Sequence, residues 1–170
     1  MGILEHLALR ELELISTTES LQVTIESKIF EKGILETGKL YRAIFKQYAE
    51  LSSTNSEALK RGLFFIWYCN VEPHFISGMD FFEIEDQNLV IASLENYFIS
   101  KDFDSELEWM FSYYCSWSFL LTIFKIFTLF QLKLGEYEDK IELPAFIDRV
   151  EMNNRGTMGD YWNSLTHFSK

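Results

Sequence analysis

Proline is nearly missing from this chain: there are two in 170 residues, with only eight glycines. A many-turned β-sandwich needs both at frequent intervals, so the scarcity favours long helices. Cysteine is also rare. Cys69 and Cys115 each lie inside an apolar run, and neither belongs to a CxxC or Cys/His metal pattern. Two such residues read as buried free thiols in a reducing compartment, with the cytoplasm as the expected location. The three histidines, His6, His74 and His167, are spread along the chain, and no HExxH or paired ExxH accompanies them. No metal centre and no cofactor are expected. There is no GxSxG for nucleophilic catalysis. Arg155-Gly156-Thr157-Met158-Gly159-Asp160 lacks the lysine and preceding strand of a phosphate loop and reads as a turn into the last helix. The amino terminus has no basic stretch followed by a long apolar run, so no secretory signal is expected, and His6 stands where a myristoylation motif wants Ser or Thr.

Positive charge is the other shortage. Fifteen Lys and Arg face 26 Asp and Glu, giving a formal charge of −11. A chain this acidic repels phosphate backbones at long range, which argues against nucleic acid and makes a basic protein the easier partner.

What the chain does have is aromatic surface: 16 Phe, 8 Tyr and 4 Trp, within a 48% apolar composition. That suffices to bury a core in a single domain spanning residues 1–170. From Leu63 to Cys69 there is no charge and no polar face. A helix apolar on all sides must be surrounded, so a helix over about residues 57–71 is the expected centre. A Thr54/Glu57 capping box should start it, and Glu72-Pro73 should stop or kink it. The fold class is therefore all-α: an irregular helical bundle of about seven or eight helices around this central one.

The flanking segments read as follows. Residues 3–15 and 21–32 have helical spacing, with Gly33 as a helix end, although Leu21–Ile25 alternates and a β-hairpin within the first 30 residues is the competing expectation. Residues 37–51 form an amphipathic helix. Asp86 is positioned to cap a helix carrying Val90, Leu94 and Tyr97. Asp102, Asp104 and Ser105 form the next start signal, with Ser105/Glu108 as a possible capping box. One helix from 105 to 134 would be about 45 Å long, against ~35 Å across a compact domain of this size, so a break is expected near Ser116-Trp117-Ser118. Gly135 should close the second half. Pro144 suits the first turn of a short helix, and a last helix should run from about Met158.

The run from Trp109 to Phe124 carries no charge, and its extension to Leu134 adds only Lys125 and Lys133. Its length approaches that of a membrane span. However, Ser118, Thr122, Lys125 and Thr128 lay a polar stripe along it. A soluble helical core is the favoured expectation, with membrane contact over 109–134 as the second.

Two groups of residues stand out as site candidates. Arg61, Glu72 and His74 place a carboxylate and an imidazole inside an apolar stretch, a possible acid/base cluster. Tyr113, Trp117 and Trp162 are aromatic residues of the kind enriched in interfaces and are candidates for contacting a partner. The leading expectation is a non-enzymatic, acidic protein-interaction module, adaptor- or immunity-like. The alternative is a small helical enzyme or ligand-binding protein with its pocket around Glu72 and His74.

Overall fold

A computed structural model describes residues 2–23, 26–100, 104–117, 124–137, 140–141 and 143–165. Among these residues there are nine helices and no strand: α1 (Ile3–Gln22), α2 (Ser27–Leu51), α3 (Ser56–Val71), α4 (His74–Ser77), α5 (Ile84–Ser100), α6 (Ser105–Cys115), α7 (Thr128–Tyr137), α8 (Arg149–Met152) and α9 (Gly156–Ser164). The hairpin expected as an alternative for the first 30 residues is corrected, because residues 3–22 form one continuous helix. Leu7, Glu11, Leu14 and Thr18 recur every three or four residues and put one face of α1 inside.

α3 is the centre. Ten successive residues, Ala58 to Trp67, are buried, and Tyr68 and Cys69 are partly buried at its end. Its neighbours are α2, α5, α6 and α9. Phe65 faces Tyr41, Phe45 and Tyr48 of α2 and Phe82 of the connector before α5. Phe64 and Trp67 face Tyr114 and Tyr161 of α6 and α9. Burying each of these rings contributes about 1.5–3 kcal/mol. The contact with α5 depends on Gly62. A Cβ there would lie 3.0 Å from a Val90 methyl carbon, so the missing side chain is what lets the two helices approach.

Several boundaries differ from expectation. Asn55, not Thr54, caps α3: its Oδ1 accepts the Ala58 N–H at 3.0 Å, while the Thr54 hydroxyl turns back to the Leu51 carbonyl. α2 runs through Gly33 because Ile34, Thr37, Tyr41 and Ile44 continue a single buried face across it. α5 starts two residues before Asp86, which sits in its first turn. Asp104 caps α6 by accepting the Leu107 N–H at 2.6 Å. α6 stops at Cys115, as the expected break requires; Asp102 and Ser118 lie outside the described residues. α7 continues past Gly135 to Tyr137. Pro144 starts no helix. The next one, α8, begins at Arg149, where the Asp148 carboxylate accepts the N–H groups of Val150 and Glu151.

Among the described residues no helix is long and apolar enough to cross a membrane. Within the apolar run 109–134, Met110, Phe111, Tyr114, Phe124, Phe130 and Leu134 pack into the core.

Candidate functional site

The largest concentration of charge lies inside the bundle. Glu57, Lys60 and Arg61 share the first two turns of α3 on an otherwise apolar helix. Arg155, at the start of α9, reaches back to them. Its guanidinium donates to Glu106 Oε1 at 2.6 Å and Oε2 at 2.8 Å and also clamps Glu57. Lys60 donates to Glu106 at 2.6 Å and pairs with Asp104 at 3.0 Å. Arg61 donates to Glu57 at 2.7 Å, to the Tyr48 hydroxyl at 3.1 Å and to the Leu4 carbonyl at 3.1 Å. The Tyr48 hydroxyl in turn donates to Glu11, whose other oxygen accepts the Thr157 backbone N–H at 2.8 Å. This chain of partners ties α1, α2, α3, α6 and α9 together.

Its two ends titrate in opposite directions. Glu11 is fully buried, and that burial pushes its carboxyl up to about 7 against the pull of Tyr48, Thr157 and Arg61. Burial also works against the charge on Glu106, but hydrogen bonds from Arg155 and Lys60 outweigh it and hold the carboxyl down at about 2. Glu57 follows the same pattern and is lowered, with burial opposing and Arg155 and Arg61 prevailing. The three cations stay protonated: burial is more than offset by Glu106 and Asp104 for Lys60, by Tyr48 and Glu57 for Arg61, and by Glu57 and Glu106 for Arg155.

The structure separates the residues singled out in the sequence. Arg61 belongs to the interior network. Glu72 and His74 lie beyond the other end of α3, lining one hollow of about 260 Å³ with Cys69, Asp80 and Phe81. His74 Nδ1 sits 3.0 Å from the Met79 carbonyl, and Asp80 is held by Arg42 at 2.6 Å. Burial pushes the Cys69 thiol up to about 12, which leaves it a poor nucleophile. Tyr113, Trp117 and Trp162 do not form one exposed patch. Trp162 is fully buried, Tyr113 is half-buried with its hydroxyl 2.6 Å from that of Tyr161, and Trp117 is exposed. Among the described residues no three His, Cys, Asp or Glu side chains gather as a metal ion would require; His167 lies outside them.

A second arrangement, at the surface, was not legible in the sequence. α4 forms a short ridge between the Glu72/His74 hollow and another of about 200 Å³, lined by Ile15, Glu19, Gln22, Tyr68, Ile76 and Asp160. Phe75 and Ile76 on the ridge are exposed, as are Phe81 beside it and Val23 at the end of α1. Gln22 holds the ridge to α1 by donating to the Ile76 carbonyl at 3.0 Å. Glu19, Glu72 and Asp160 form no ion pair among the described residues. Tyr68 lines the second of these hollows. Burial, and then the nearby carboxylates of Glu72 and Asp160, push its hydroxyl up to about 12.

In comparisons with known proteins, the chain matches no family model, no curated protein and no solved structure.

Proposed function

We propose that this chain is an acidic, non-enzymatic module that works by binding a basic protein partner, as an adaptor or an immunity-like neutraliser does. The observation that carries this reading is the distribution of charge. The interior network holds three cations and four carboxylates, so it accounts for at most one of the eleven excess negative charges. The other ten belong to the rest of the chain. Buried groups with shifted pKa values are common at catalytic sites. Here Glu57, Arg61, Glu106 and Arg155 are bonded to one another, and none of them lines either hollow beside α4. A surplus of this size steers oppositely charged proteins and discriminates against acidic ones.

Immobilised chain exposed to a native lysate at low ionic strength should retain predominantly basic proteins, and raised salt should release them. Retention of nothing at low salt, or of proteins with no charge bias, contradicts the proposal.

One observation favours a small-molecule site instead: Glu72 and His74 line a common hollow. At about 260 Å³ that hollow falls below the ~300–1,000 Å³ typical of ligand pockets. Arg61 is not available to it. A compound screen by thermal shift, repeated with His74→Ala, separates the two proposals, because hits abolished by that substitution would favour the pocket.

A further inference from the structure

The carboxyl ends of two helices, α1 and α3, meet α4. α3 ends at Val71 with Glu72 as its C-cap, and α1 ends at Gln22 with Glu19 in its last turn; neither helix has a basic residue in its last turn. The carboxyl end of a helix carries partial negative charge, so a carboxylate there is unfavourable and a cation favourable, by ~0.3–1 kcal/mol for each exposed case. Asp160 adds a third carboxylate, and among the described residues no Lys or Arg lines either hollow. Arg42 approaches this region but is committed to Asp80. Exposed apolar side chains accompany the carboxylates: Ile76, at 46% exposure, shares one hollow with Glu19 and Asp160, Phe81, at 74%, shares the other with Glu72, and Phe75, at 55%, precedes Ile76 on α4. An apolar ridge with an acidic rim, on a chain whose interior charges are otherwise paired, has the composition of a docking surface.

We infer that the α4 ridge is a docking surface for an amphipathic basic segment of a protein partner, whose apolar side chains cover Phe75, Ile76 and Phe81 while its Lys or Arg side chains meet Glu19, Glu72 and Asp160. This rests on the interaction proposal above and gives it a place. Charge selects the occupant. A second copy of the chain would set these carboxylates against their own counterparts, and an anionic membrane or nucleic acid would be repelled. A cation-bearing segment satisfies both helix ends at once. Phe75 and Ile76, on a short exposed helix, supply the apolar anchors on which such interfaces concentrate their energy.

The test uses the full chain, labelled with ¹⁵N, and a synthetic amphipathic peptide of Leu and Lys as the probe. Amide shifts should move at Val23, Tyr68, Glu72, Phe75, Ile76 and Phe81. Phe75→Ser with Ile76→Ser should weaken binding about tenfold or more. Ile99→Ser should leave it unchanged, because Ile99 is no less exposed but sits in the last turn of α5, whose Asn96, Tyr97 and Ser100 share a hollow with Asn55 and Ser56 at the amino end of α3. Circular dichroism of each variant verifies that the fold is kept. Peptide binding that maps elsewhere and ignores the ridge variants overturns this inference while leaving the interaction proposal standing. No binding of the peptide at low salt, together with no basic proteins retained from the lysate, sinks both. Self-association lost in the ridge variants would make the occupant a second copy and overturn the assignment.

Discussion

The Glu11 carboxylate accepts the Thr157 backbone N–H at 2.8 Å, so a side chain of the first helix caps the last one. The two residues are 146 positions apart. Gly156, next to Thr157, has a φ of +59°, and a Cβ on it would run into the Glu11 carboxylate. Gly156→Ala therefore meets both a left-handed backbone and a direct clash, and should destabilise the fold by about 1–3 kcal/mol or more. Urea denaturation measures it.

Glu11 should also make stability depend on pH. A carboxylate with a raised folded pKa stabilises the fold while protonated. Its contribution is complete below the ordinary value of 4.5 and is lost as pH rises through about 7. The loss is on the order of 3 kcal/mol. Glu57 and Glu106 act with the opposite sign: their contribution is present above 4.5 and is lost as pH falls, for Glu106 toward about 2. Stability should thus decline between pH 5 and 8, and Glu11→Gln should flatten that decline while leaving the acid limb in place. Denaturant melts across that range decide it, and an unchanged slope in the variant contradicts the assignment.

Removing Arg155 should be among the costliest single changes. Arg155→Ala removes the cation that Glu57 and Glu106 share and leaves each with one partner, Arg61 and Lys60. Hydrogen bonds to charged groups contribute about 1.5–3 kcal/mol each, and about a quarter of each carboxylate side chain is exposed, so the loss should be on the order of 2–3 kcal/mol. Adding Glu57→Gln and Glu106→Gln should not recover the loss, because Arg61 then loses its carboxylate and Lys60 keeps only Asp104. A thermal melt of the single and triple variants tests this, and equal melting points for wild type and Arg155→Ala would refute it.

The core makes its own prediction. Phe65 contacts Tyr41, Phe45, Tyr48 and Phe82 and is fully buried, so Phe65→Ala should cost about 3–5 kcal/mol. Amides from Leu63 to Trp67 should exchange with solvent only on global unfolding.

α3 was legible because its signal is repeated: ten successive positions have nowhere to be but inside. Gly33 and Pro144 misled because a single residue states a local preference, while a buried face over many turns outweighs it, as Ile34, Thr37 and Tyr41 do across Gly33. Grouping Arg61 with Glu72 and His74 failed on distance alone. Eleven residues of helix place Arg61 about 16 Å from Glu72 along the axis. Apart from the Glu57–Arg61 pair one turn apart, the charge network joins residues from 13 to 146 positions apart, which no local pattern encodes. Its trace in the sequence was Glu57, Lys60 and Arg61 on a helix otherwise without charge. Trp162 was recoverable too: it follows Met158 by one turn, and both are buried. The ridge left no trace, since it arises only where the ends of α1 and α3 meet α4.

The separation between paired charge inside and unpaired charge at the ridge can be measured directly. Glu19, Glu72 and Asp160 should be changed to lysine together, and the Leu/Lys peptide titrated into this variant and into wild type at low salt. Binding should weaken by about tenfold or more, with the melting point unchanged or raised, because these carboxylates form no ion pair among the described residues. Equal affinity for the two proteins would contradict the assignment.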